Sequence, residues 1–229
     1  MNRVRTLDQA AGWLDGVGFA LLFPSRGIAL PSLWEAQGRR VNKLPAWDDD
    51  MARLWEWKDQ LPRRRRAWYG KLIRGKGTLI AARLLPHFSA AMETPWKLDA
   101  AEALYSHGRL SPEARKIAAV LRDQGPQATL ALRYAAGFGG KRGNARFKKA
   151  VGELGARLLV THFGTEKEEG AAWPSTVYEL VPRAFSKLSK RARELPAEEG
   201  RREVERAYLA LAPGASPRQA ADFLRRIMK

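Results

Sequence analysis

Residues 107–185 carry three short helical patterns followed by two β patterns, an order that confines this stretch to a three-helix unit closed by a hairpin. The helices read as Ser111–Gln124, Ala128–Gly137 and Gly143–Gly155, and the strands as Ala156–Phe163 and Ser175–Val181 around a Gly/Glu-rich turn. Ser111-Pro112-Glu113 supplies an N-cap, a proline at the first helical position and an acid in the first turn. Gly125-Pro126 ends that helix. On the third helix Phe147, Val151 and Leu154 share one face, so Phe147 is expected in the core. The pattern is that of a winged helix-turn-helix, which lays its third helix in the major groove of DNA.

Charge points the same way. The chain has 41 Lys/Arg against 24 Asp/Glu, a net +17. Residues 1–52 balance at six of each sign, so the whole excess lies beyond them. Within 53–83, ten cations stand against Glu56 and Asp59. Taken alone, such a run is better explained by a solvated basic face. Beside a helix-turn-helix it indicates a polyanion, because each neutralised phosphate releases counterions. Arg63, Arg64, Arg65, Arg66, Arg74 and Lys76 would track a DNA backbone. Lys141, Arg142, Asn144, Arg146, Lys148 and Lys149, at and after the glycine-rich turn, would form the groove-facing surface.

Other chemistry is scarce. Without cysteine the chain has no disulfide, thiolate nucleophile or cysteine-held metal, and His87, His107 and His162 lack a metal-site spacing. Neither a catalytic residue, a metal site nor a cofactor is assigned. Asp48-Asp49-Asp50 reads as the acidic start of a helix, and Gly139–Gly143 lacks the spacing of a phosphate loop. Glu166, Glu168 and Glu169 would make the wing turn repel phosphates. No apolar run is long enough to cross a membrane and no export leader is evident, so a cytoplasmic, nucleoid-associated protein is expected.

Before the central unit, helices are expected at Thr6–Gly16, Pro31–Gln37, Asp48–Gln60 and Leu98–Ser106, with a further helix opened by Pro62 that turns Trp68, Leu72 and Ile73 inward. On the Asp48–Gln60 helix, Met51, Leu54, Trp55 and Lys58 are expected to share a face. Phe19–Pro24 reads as strand or loop, and Thr78–Leu85 as helix or strand. Trp55 and Trp57, two apart on one helix, cannot both face a single core; one of them is free to stack on unpaired bases or to pack between domains. After Phe185, helices are expected at Glu198–Leu211 and Ser216–Met228. Three regions follow: 1–106, winged-helix-like; 107–186, the central unit; and 187–229, a helical hairpin or partial helix-turn-helix. The fold class is mainly α, with tandem winged helix-turn-helix units and short β wings.

Several stretches together resemble the AlkZ-like group, DNA glycosylases and their relatives built from tandem winged helices. They are Gly18–Pro24, Leu30–Ala36, Trp55–Lys58, Leu84–Phe88, Leu110–Gly125 and Val177–Arg183, and the likeness is greatest to the AlkZ-related proteins. In the enzymes the resemblance implies excision of alkylated or crosslinked bases by a Gln–apolar–Gln or Gln–apolar–Asp motif. Phe19-Ala20-Leu21 stands at the matching position and offers neither amide nor carboxylate to hold a water beside an oxocarbenium ion. The expectation is a protein that binds duplex or damaged DNA in a repair-related role without that motif. A divergent glycosylase, a winged-helix transcription regulator and a binder of structured RNA are the alternatives.

Overall fold

The computed structural model describes residues 3–39, 47–167 and 173–227, and of Lys141 the backbone alone. Glu168 and Glu169, expected in the wing turn, lie outside the described residues, as does Met228 at the end of the last expected helix.

The chain opens with α1 (Leu7–Val17), β1 (Phe19–Leu21), α2 (Leu33–Ala36), α3 (Asp49–Arg63), β2 (Ala67–Lys71) and β3 (Gly77–Ala81). Each helix start has a local cause. Thr6 and Gln9 form a reciprocal capping box on α1, Ser32 caps α2, and Asp48 accepts from the Met51 amide on α3. Helices α4 (Leu85–Ala91) and α5 (Ala100–Ser106) lead to α6 (Pro112–Gln124), β4 (Gln127–Ala128), α7 (Thr129–Ala135), α8 (Gly140–Ala156), β5 (Val160–Glu166) and β6 (Ser175–Leu180). The chain then runs through α9 (Val181–Ala184), α10 (Ser189–Glu194), α11 (Ala197–Leu211) and α12 (Pro217–Ile227). The described residues are thus mainly helical, with two antiparallel sheets of order β1-β3-β2 and β4-β6-β5. Helix, strand, helix, helix, strand, strand occurs twice, with the same sheet order each time.

The helix expected after Pro62 is not formed. Helix α3 runs through Pro62 to Arg63, and Arg65 then takes a left-handed φ of 57°. Ala67–Lys71 becomes a strand in which Trp68 faces Ile80 and Tyr69 faces Leu79. Four arginines favour a helix by intrinsic propensity, but pairing of an aromatic strand with β3 overrides it. The expected face of α3 is also corrected: Met51, Leu54 and Lys58 are buried as anticipated, while Trp57 is in the core and Trp55 is 40% exposed.

Three cores follow from these faces. Ala10, Leu14, Trp34, Leu54, Trp57 and Leu79 pack α1–α3 onto one side of the first sheet. The other side, with Phe19, Trp68 and Ile80, is covered by Phe88 of α4, Val204 of α11, Phe223 and Leu224 of α12, and by Leu158, Val181 and Phe185 from the second unit. A third cluster of Ile117, Leu121, Leu132, Phe147 and Leu154 closes the second unit, with Phe147 in the core as its position on the helix implied. Helix α11 meets α4 at Gly200, where a Cβ would come within 2.7 Å of the Ala91 nitrogen and the His87 oxygen. Only glycine allows that approach.

Candidate nucleic-acid interface

The third helices of the two units are not alike in charge. Helix α3 has Arg53, Lys58 and Arg63 against Asp49, Asp50, Glu56 and Asp59, a net −1; α8 has Lys141, Arg142, Arg146, Lys148 and Lys149 against Glu153, a net +4. Only α8 has the charge of a phosphate-facing helix. Its entry is sterically fixed at Gly143, whose Cβ would lie 2.1 Å from the Phe138 carbonyl oxygen. A side chain at this position would collide with the turn, so the close approach requires glycine.

The residues assigned to DNA from sequence divide among several settings. Arg142, Lys148 and Lys149 are exposed on α8. Arg146 donates to Glu113 at 2.7 Å and lies over the Phe138 ring. Its own side chain stays 65% exposed, so this is a solvent-screened surface pair of small net energy. Of the arginine run, Arg66 pairs with Asp15 at 2.8 Å and Arg64 approaches Asp8 at 3.9 Å. Arg65 donates to the Ala184 carbonyl at 2.9 Å and covers Phe163, bridging the two units, while Arg63 lies against Gly164 of β5. Arg74 donates to the Gly27 carbonyl and lines a separate hollow beside α12. Lys76 borders a hollow of about 230 Å³ that shares Trp55 and Tyr69 with a larger cleft.

That cleft, of about 450 Å³, lies between the units. Trp55 and Lys58 of α3 and Tyr69–Lys71 of β2 form one wall. Asn144, Lys148, Val151, Gly152 and Gly155 of α8 form another, and His162, Thr176 and Tyr178 of the β5–β6 hairpin, with Thr129, complete it. Gly152 and Gly155 leave space: a Cβ built at either meets nothing within 4 Å. Helix propensity opposes both, since each glycine costs ~1 kcal/mol relative to alanine.

A polar cluster lies at the cleft. Buried Lys58 donates to Asp59 at 2.5 Å, and its ammonium sits 4.9 Å from the Trp55 ring centroid and 5.6 Å from that of Tyr69. His162 Nδ1 is 3.5 Å from the same Asp59 oxygen, and its ring is held edge-on between Tyr69 and Tyr178 at 4.8 and 5.3 Å. Burial alone would raise the Asp59 carboxyl, but the His162 contact and the Lys58 charge hold it below its ordinary value. Burial pushes the His162 imidazole down, and Asp59 only partly opposes this. Burial, then the Asp59 charge, push the Tyr69 and Tyr178 hydroxyls up, so both stay protonated. Lys58 and Asp59 therefore cancel, and the groups around them are neutral at pH 7.

Sequence reasoning brought Asn144 and Lys148 to this surface but missed Lys58, Asp59, Tyr69, His162 and Tyr178. Their meeting depends on packing between residues about a hundred positions apart; the one local signal was the Trp55/Trp57 spacing. Phe19, Ala20 and Leu21, which the resemblance matches to the glycosylase motif, are fully buried in β1, at the opposite edge of the first sheet from the cleft-lining β2. Among the described residues no helix is long and apolar enough to cross a membrane. Neither a curated protein nor a solved structure matches the chain significantly. The model of the AlkZ-related family matches residues 4–225, nearly the whole chain, and the protein is a member of that family.

Proposed function

We propose that this protein binds duplex or damaged DNA in a repair-related role, with α8 as the helix that meets the phosphates. The supporting observation is the contrast between the two third helices: one nearly neutral and packed against the neighbouring β5 hairpin, the other strongly basic and exposed along Arg142, Lys148 and Lys149. Membership of the AlkZ-related family favours DNA over other polyanions. On this reading both repeats of the six-element order are winged helices, spanning 1–106 and 107–186, and residues 187–229 buttress the first. The apolar, buried β1 supports binding without base excision by the family's usual motif.

The test is the salt dependence of binding to a paired duplex. Arg146→Ala with Lys149→Ala is expected to weaken binding and flatten the log–log salt slope by about two, since each phosphate contact contributes roughly one. An unchanged slope removes α8 from the interface.

A further inference from the structure

We infer that the cleft between α3 and α8 receives one extrahelical nucleotide, its base inside and its phosphate at the mouth, so that the favoured partner is duplex DNA with an unpaired or bulged nucleotide. This rests on the DNA-binding reading. Four observations carry it.

The first is size. About 450 Å³ falls within the range of small-ligand sites, roughly 300–1,000 Å³. Stacked base pairs do not fit, whereas a single base does. The second is the wall. Trp55, 40% exposed, lines the cleft with the Lys58 ammonium over one side of its ring, and bases of any sequence stack on such aromatic rings. Tyr69 extends the same surface, and Asn144 offers both a donor and an acceptor to a base edge.

The third is the placement of charge. Lys58, which lines the cleft, is already paired with Asp59 of the next position, and a neutral base can enter without leaving either ion unpaired. The exposed Lys71 and Lys148 add cations for a phosphate. Thr161 also lines the cleft and is 1% exposed, and its hydroxyl has no hydrogen-bond partner among the described residues. The fourth is the room kept on α8, where Gly152 and Gly155 stand and any larger side chain would narrow the space.

The experiment uses the full chain and two duplexes differing by a single bulged 2-aminopurine, titrated at one salt concentration. The bulged duplex is expected to bind about tenfold tighter, the scale of one base stacked on an aromatic ring, with a change in 2-aminopurine emission. Gly152→Leu, which fills the cleft, and Trp55→Ala, which removes its exposed ring, should each abolish that preference. Neither alters charge, so paired-duplex affinity and salt slope should persist. Equal binding of both duplexes by the wild type overturns this inference and leaves the DNA-binding reading intact. So does a preference that survives both substitutions, or deoxyadenosine monophosphate bound in the cleft without any bulge preference. Failure to bind either duplex at low salt overturns both readings.

Discussion

The indole nitrogen of Trp68 donates to the carbonyl of Val160 at 2.8 Å, joining β2 of the first unit to β5 of the second across 92 positions. Trp68 is fully buried, and the bond lies beside the cleft walls formed by Tyr69 and His162. Arg65, donating to Ala184, adds a second tie between the units. The spacing of α3 and α8 is therefore set by hydrogen bonds as well as by apolar contact.

Trp68→Phe keeps most of the packed ring and leaves the Val160 oxygen without this donor. The expected loss is about 1–3 kcal/mol of unfolding free energy by urea titration, the cost of a buried unsatisfied group. A change within error would mean that water or another donor replaces the indole.

Gly200→Ala sets two effects in opposition. Helix propensity favours alanine by ~1 kcal/mol. A Cβ at 2.7 Å from the α4 backbone forces the helices apart, an overpacking cost of roughly 1–3 kcal/mol. Sterics should win and lower the melting temperature. Gly12→Ala in α1, where a Cβ meets nothing within 4 Å, should raise it.

Stability should fall as pH drops below about 6.5. His162 is held neutral in the folded protein, so the unfolded chain binds more protons below its ordinary value of 6.5, and protonation favours unfolding. Asp59, held below its ordinary 3.8, contributes stability present above that value and lost as pH falls through its folded pKa. Both act in the same direction. His162→Gln should shrink the first step in a plot of denaturation midpoint against pH between 5 and 7, the remainder belonging to His87, whose imidazole burial and Arg191 also hold down, and should leave the lower step in place.

Glu113→Gln frees Arg146 from its ion pair. DNA affinity should rise by up to about fivefold, the range open to an exposed pair of this kind, as read by fluorescence anisotropy. No gain would place Arg146 outside the contact surface.

Alkylated duplex incubated with the purified protein should yield no abasic sites above a protein-free control. Phe19 and Leu21 present no group that could activate water, and both are fully buried. Accumulation of abasic sites would require a catalytic group elsewhere.

The second unit was legible because its signals are local. Ser111 caps α6, Gly125 ends it at φ 81°, and Phe147 enters the core as its helical position requires. The segment 62–71 was not, because arginine propensity and a terminal proline look the same before a helix or after one; only the partner strand Gly77–Ala81 decides. Trp55 and Trp57 showed that one ring must leave the core, but which one depended on how α3 packs against α1, α2 and the first sheet, where Trp57 joins Leu14, Trp34 and Leu79. Lys58, Asp59 and His162 carry no shared motif at all. They meet because two units pack, and no window of sequence contains that information.

The stacking of Phe19 on Phe223, at 5.6 Å, has a consequence for how the chain is made. The first unit borrows part of its interior from helices some two hundred residues downstream, so during translation it cannot close its own apolar surface. Until α11 and α12 have left the ribosome, one face of β1 and β3 is only partly covered, by α4 and by Leu158, Val181 and Phe185, whereas the cluster of residues 100–180 that closes the second unit is contiguous and free to form first.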